Sequence, residues 1–248
     1  MKILSIGNSF SNNSTRYLSS MGKKCGIDVE TYNLYIGGCP LYTHYVNALE
    51  NLSLYSFVFN GIDTHFKVSI KQALIANEYD VVTMQQASHY SFMPETYQPY
   101  TEFLFDYVKK YNPHAKIYVH QTWGYKEASQ RLFDMEFATH AEMYAAVESA
   151  YDIMYNSNDF AGLLPSGKAI SLLHEMGFSG SDTHNDNIHL SKGLGQFTSS
   201  LTWLETLTGF PALDCEFTDF DAEVSDEMAI AAKKAAHEAC LWAQKYKK

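Results

Sequence analysis

Two hydrophobic rhythms alternate along this chain. Short apolar runs alternate with stretches in which apolar residues recur every three to four positions, a pattern that predicts strands separated by helices. Residues 2–6 have strand character, the polar turn Gly7-Asn8-Ser9 follows, and a helix is expected over about 13–25, with Tyr17, Leu18 and Met21 at helical spacing. Residues 29–36 read as a second strand, ended by Gly37-Gly38, before a helix over 41–52. Residues 55–60 and 65–68, joined through Gly61-Ile62-Asp63, predict a small surface hairpin, then a helix near 69–77 and a core strand over 80–85. A helix over 100–111 carries Phe103, Leu104, Tyr107 and Val108 on one face, and Pro113 separates it from a strand at 116–120. Further helices are expected at 143–155 and 169–176, with a short strand at 162–165 between them, and an Ala-rich terminal helix at 226–246. The alternation points to a doubly wound α/β fold, a three-layer α/β/α sandwich with a mostly parallel central sheet. In such sheets functional groups gather beyond the carboxyl ends of the strands.

Composition narrows the function. The 248 residues carry 18 Lys and Arg against 28 Asp and Glu, a formal charge of −10 that offers no general basic footprint for nucleic acid. With no linker-like stretch and no repeat, residues 1–248 are expected to form one domain. No apolar run reaches the roughly 18–20 residues that cross a bilayer, so no membrane partner is expected. Residues 1–6 lead straight into a polar turn, so a cytoplasmic location is expected for the chain as given, and a secreted one had a leader been trimmed. Cys25, Cys39, Cys215 and Cys240 are scattered, which favours reduced thiols over a disulfide or metal framework. The 18 Tyr, 15 Phe and 3 Trp are mostly accounted for by core packing.

Two short motifs carry chemistry. Ser9 stands between the first strand and the first helix, where backbone N–H groups can face an anion and a serine can act as nucleophile. Ser9, Ser11 or Asn12 could equally cap that helix. The pattern GxSxG is absent, because Ser11 stands at its last glycine. Far along the chain, the spacing of Asp186 and His189 lets the carboxylate hold the Nδ1 proton and present Nε2 outward, a general base with its orienter. Asp182 and His184 offer a competing pair, or mixed nitrogen and oxygen ligands for a metal.

A serine after the first strand and a DxxH before the last helices, with glycine and amide turns between, resembles the SGNH (GDSL-type) hydrolase family over residues 3–209. The segments IGNSFS at 6–11, GGCPL at 37–41, YDVVTMQQAS at 79–88, QTW at 121–123 and DNIHLSKGLGQF at 186–197 are similar to a little-characterised branch of it. The resemblance implies Ser9 as nucleophile, His189 as base and later acid, and Asp186 as its orienting carboxylate. It also implies that the backbone N–H groups of Ser9 and Gly38 face the oxyanion. Two positions depart from the family pattern. Asn8 replaces its usual Asp, and Gln85-Gln86-Ala87-Ser88 replaces its glycine-x-asparagine-aspartate block. An amide can donate as Asn does, so Gln85 is the first choice for the third oxyanion donor, with Gln86 and Ser88 behind it. A glutamine there could as well satisfy backbone groups.

Trp123 and Tyr125 are candidates for a substrate wall stacking on a sugar ring, with core packing as the alternative for Trp123. His120 reads as a satisfied buried histidine and Cys39 as a small apolar filler. The expected function is a serine esterase acting through an acyl-enzyme on small-molecule or carbohydrate esters, with no metal or cofactor. Two other classes stay open: a non-catalytic carbohydrate-binding protein on the same fold, and a flavodoxin-like nucleotide binder, in which the DxxH has no role. Oligomeric state is left open.

Overall fold

The structure is a computed structural model describing residues 1–247. Strand β1 (Lys2–Gly7) is followed by helices α1 (Ser9–Thr15) and α2 (Leu18–Lys24), strand β2 (Glu30–Tyr35) and helix α3 (Leu41–Leu49). Strands β3 (Tyr55–Phe59) and β4 (Ile62–Val68) precede α4 (Ile70–Ala76), β5 (Val81–Met84), α5 (Tyr100–Tyr111) and β6 (Lys116–His120). The remainder comprises α6 (Gln130–Asp134), α7 (His140–Asn156), β7 (Gly162–Leu164), α8 (Ser166–Glu175), α9 (Leu194–Thr208) and α10 (Asp226–Trp242).

The seven strands form one sheet in the order β4-β3-β2-β1-β5-β6-β7. Strands β2, β1, β5, β6 and β7 run parallel, while β3 pairs antiparallel with both β2 and β4. Helices α3, α4 and α5 pack together, and α1, α2, α8, α9 and α10 form a second group. The parallel order reverses at β1, so the crevice beyond the carboxyl ends of β1 and its neighbours is where such a sheet binds ligands. β1 and β5 are buried on both faces, which is why they read as nearly continuous apolar runs. Helix α9 is buried along most of its length, since α1, α2, α8 and α10 surround it, and the small residues Ala232, Ala235, Ala236 and Ala239 of α10 let it approach closely.

Several elements differ from the sequence expectation for identifiable reasons. The first helix begins at Ser9, four residues earlier than the periodicity predicts, because Asn8 caps it: its side chain accepts from the Phe10 N–H at 3.0 Å. It then breaks at Arg16 and Tyr17. There the Arg16 guanidinium pairs with Asp221 and the Tyr17 hydroxyl reaches the Lys192 carbonyl, so distant partners set the direction of α2. The expected surface hairpin joins the main sheet through β2, and its outer strand β4 carries Asp63, His65 and Lys67 along the exposed edge. All four cysteines are free thiols, with the Cys25 and Cys215 sulfurs 3.8 Å apart. No helix among the described residues is long and apolar enough to cross a membrane.

Candidate active site

Ser9 is the first residue of α1 and follows β1 by two positions, so its N–H is one of the donors that a helix start leaves without an intrahelical partner. The Ser9 Oγ lies 2.8 Å from His189 Nε2. On the other side of the ring, Nδ1 is 2.8 Å from Asp186 Oδ2. A carboxylate only accepts, so Nδ1 carries the proton, and Nε2 is the acceptor for the serine hydroxyl. Asp186 Oδ1 accepts from the N–H groups of Ile188 and His189, both at 2.8 Å, which folds the DxxH segment into a compact turn. Partial burial would raise the Asp186 pKa, but those two N–H groups and the His189 ring outweigh it and hold the carboxyl below the ordinary aspartate range.

The turn is anchored from several sides. Trp123 Nε1 donates to the Ile188 carbonyl at 2.9 Å, the Lys126 N–H to the Asn187 carbonyl at 2.9 Å, and the Leu190 N–H to Asn13 Oδ1 at 3.0 Å. The last of these ties the histidine loop directly to the helix that carries Ser9. Phe10 stacks on Trp123 with centroids 4.1 Å apart, and its ring meets the His189 ring edge-on at 5.9 Å. Asn8 extends this order to the glycine turn, since its Nδ2 donates to the Cys39 carbonyl at 3.2 Å. Gly38 sits at φ +62°, a conformation that favours glycine, and a Cβ there would meet nothing within 4 Å, so its requirement is conformational. At Gly7 the reason is steric, because a Cβ would lie 2.0 Å from the Ser11 hydroxyl.

A cavity of about 190 Å³ opens at Ser9. Its walls include Asn8, Phe10, Gly37, Gly38, Ile188 and His189, together with Tyr35, Ser88, His89, Tyr125 and Arg131. A wider cleft of about 580 Å³ lies among Met1, Asp80, Val81, His114 and Lys116, at the amino ends of the strands and away from this chemistry.

Not every residue singled out from sequence reaches the cavity. Gln85 does not line it: the side chain is buried behind Ser9, with Nε2 donating to Asn8 Oδ1 at 2.9 Å and Oε1 accepting from Ser11 Oγ at 3.0 Å and facing His120 Nδ1 at 2.5 Å. Gln86 is turned away too, since its Oε1 accepts from the Leu41 and Ala87 N–H groups and its Nε2 donates to Thr96. Ser88 does line the cavity, with its hydroxyl 3.0 Å from that of Tyr125. Trp123 is fully buried and supports the histidine loop from behind, so it offers no stacking wall, whereas Tyr125 reaches the cavity. His120 is buried between Gln85 and Ser14. His184 is engaged by Thr183 and the Gly124 carbonyl and forms no pair with Asp182. Cys39 has a basic neighbour that sequence spacing did not suggest, His44 Nδ1 at 3.6 Å, yet burial pushes its thiol up to about 12, against the smaller opposing effect of Tyr55.

Arg131, His89 and Tyr35 went unrecognised in the sequence. For Arg131 a signal was present, because the chain contains only two arginines.

The parallel order about β1, with a serine at the start of the first helix and a DxxH turn before a late one, is the SGNH hydrolase fold. Residues 2–239 match the family described as a domain of unknown function, DUF4886, and the chain belongs to that family. A DUF4886 family protein from Bacteroides uniformis ATCC 8492 superposes with a TM-score of 0.90 at 27% identity, over 100% of this chain and 99% of that one. A candidate SGNH hydrolase from Slackia heliotrinireducens gives 0.57 at 20% identity, over 83% of this chain and 97% of its own. A family 3 carbohydrate esterase from Clostridium thermocellum gives 0.50 at 13% identity, over 83% and 94%. At these identities the last two show the fold alone. No curated protein matches the chain.

Proposed function

We propose that the protein is a serine hydrolase that cleaves small acyl esters through an acyl-enzyme. The observation that carries this reading is the continuous relay from Ser9 Oγ through His189 to Asp186, with both hydrogen bonds at 2.8 Å and the serine opening on a cavity. In the first half-reaction the Ser9 proton passes to His189 Nε2 as Oγ attacks the ester carbonyl carbon. The oxyanion that forms is held by the N–H groups of Ser9 and Gly38, neither of which has a hydrogen-bond partner among the described residues. The third position falls to the Ser88 hydroxyl, since Gln85 is committed elsewhere. As the tetrahedral species collapses, His189 gives its proton to the leaving alcohol oxygen. In the second half a water loses a proton to His189, attacks the acyl carbon, and releases the acid while Ser9 regains its hydrogen. Asp186 stays ionised throughout and holds the ring.

The cavity is small, about 190 Å³, which suits an acetyl or similarly short acyl group. Acetyl groups on carbohydrates satisfy that limit if the sugar remains outside. An assembled nucleophile–base pair has no purpose in a protein that only binds carbohydrate, and this favours hydrolysis over that reading. The test is hydrolysis of 4-nitrophenyl acetate together with labelling by a fluorophosphonate. Ser9→Ala should abolish both, and His189→Ala should lower turnover by several orders of magnitude with the fold retained. Equal turnover in wild type and Ser9→Ala would overturn the proposal.

A further inference from the structure

Ester cleavage itself leaves the one arginine at the cavity without a role. Arg131 is partly buried and lines the same space as Ser9, Gly38 and His189. The chain has 28 Asp and Glu but only two arginines. The other, Arg16, shows the pairing that arginine geometry favours: its Nε and Nη2 donate to the two oxygens of Asp221 at 2.5 and 2.6 Å. Arg131 forms no ion pair among the described residues. It interacts with the Tyr125 hydroxyl, which burial keeps protonated, so that contact supplies no countercharge. The acids nearest it in sequence are occupied, as Asp134 Oδ1 accepts from Gln130 Nε2 at 2.9 Å and Glu127 Oε2 from the His140 N–H at 2.9 Å. Its helix is held in place independently, with Ser129 capping α6 and Leu132 buried in the core.

A half-buried arginine with no carboxylate partner thus lines the same cavity as Ser9, in a protein whose net charge is −10. Its charge is felt by its neighbours: burial lowers the His89 pKa and Arg131 lowers it further, which disfavours a second cation there. We propose that this site selects esters carrying a carboxylate, and that Arg131 is the residue that binds it, by the two-pronged contact its planar fork allows. The inference rests on the serine-hydrolase reading above and adds to it the substrate class.

The test compares matched neutral and anionic esters at low salt: 4-nitrophenyl pentanoate against mono-4-nitrophenyl succinate, with the carboxylate on the acyl side, and phenyl acetate against 4-acetoxybenzoate, with it on the alcohol side. Spontaneous hydrolysis is subtracted in each case. In the wild type at least one anionic ester should exceed its neutral partner in kcat/KM by about tenfold or more, mainly through KM, as a hydrogen-bonded charge pair supplies. Arg131→Met should bring that ratio to about one, and Arg131→Lys should retain part of it. The excess should also shrink as salt is raised. A ratio of one or less for both pairs in the wild type, or an unchanged ratio in Arg131→Met, would overturn the proposal while leaving the hydrolase reading intact. Should no ester be cleaved at all, the hydrolase reading fails, and calorimetric binding of 4-acetoxybenzoate to the Ser9→Ala protein decides the anion site by itself. Binding weakened about tenfold by adding Arg131→Met supports it, and no difference between the two variants refutes it.

Discussion

Acidification from pH 7.5 to 5 should remove at least about 4 kcal/mol of folding stability, the share that two histidines supply. His44 and His120 are both 0% exposed, and burial alone lowers each pKa to about 3. His120 has no counterion: its Nδ1 faces the Gln85 carbonyl oxygen and its Nε2 the Ser14 hydroxyl. In the unfolded chain the same imidazoles titrate near 6.5. Between about pH 6.5 and 3 the unfolded state therefore binds more protons than the folded one, so stability falls as pH falls. At pH 5 the unfolded imidazole is almost fully protonated and the folded one is not, which costs about 1.5 pH units at 1.36 kcal/mol each, or about 2 kcal/mol per histidine. The pair's total is a large share of the roughly 5–15 kcal/mol that holds a domain together. The buried cluster of His140, His174 and His184, whose pKa values burial also lowers, acts in the same direction. The assay is urea unfolding at pH 7.5, 6.5, 5.5 and 5.0, repeated with His120→Asn, whose amide can still donate to Gln85. Between pH 6 and 5 the variant's stability should fall less steeply than the wild type's, by up to about 1.4 kcal/mol per pH unit. A wild-type stability constant to within 1 kcal/mol across the range, or equal slopes in the two proteins, would refute the reasoning.

Three substitutions probe the site's framework. Asn8→Asp restores the residue usual in SGNH hydrolases but sets a carboxylate oxygen against the Cys39 carbonyl in place of a donor; the lost buried hydrogen bond costs about 1–3 kcal/mol, offset by about 0.3–1 kcal/mol at the helix start. Urea unfolding should show a net loss, and a variant more stable than the wild type would contradict it. Gly38→Ala has space for its methyl group but must hold φ near +62°, at about 1–2 kcal/mol, so the turn should shift and ester turnover should fall by tenfold or more; unchanged turnover would separate Gly38 from the oxyanion. Trp123→Phe keeps the stack on Phe10 but leaves the Ile188 carbonyl without its donor, so kcat should fall while KM changes little, as the histidine turn loosens.

Much of the scaffold was legible because its signals are local. The apolar runs of β1, β5 and β6 and the one-sided face of α5 follow from side-chain period and burial, which neighbours in sequence report. Helix α1 was legible only in part. Its start depends on a cap at Asn8, and its end depends on Asp221 and Lys192, two partners about 200 and 175 residues away. The amide choice at the oxyanion failed for a similar reason. Gln85 and Ser88 both stand beyond the end of β5, and spacing does not reveal that Asn8, Ser11 and His120 occupy the first while the second faces the cavity.

Residue order and chemical type thus carried the layer architecture and the pairing of Asp186 with His189, because strand and helix periods and a three-residue reach are short-range properties of the chain. The packed molecule decided the rest. It brought Ser9 within 2.8 Å of an imidazole 180 residues later, buried Trp123 behind the histidine turn, and left Arg131 without a carboxylate at the cavity. Those outcomes depend on which long-range contacts consume each donor and acceptor, and that competition is resolved only when all the elements are in place.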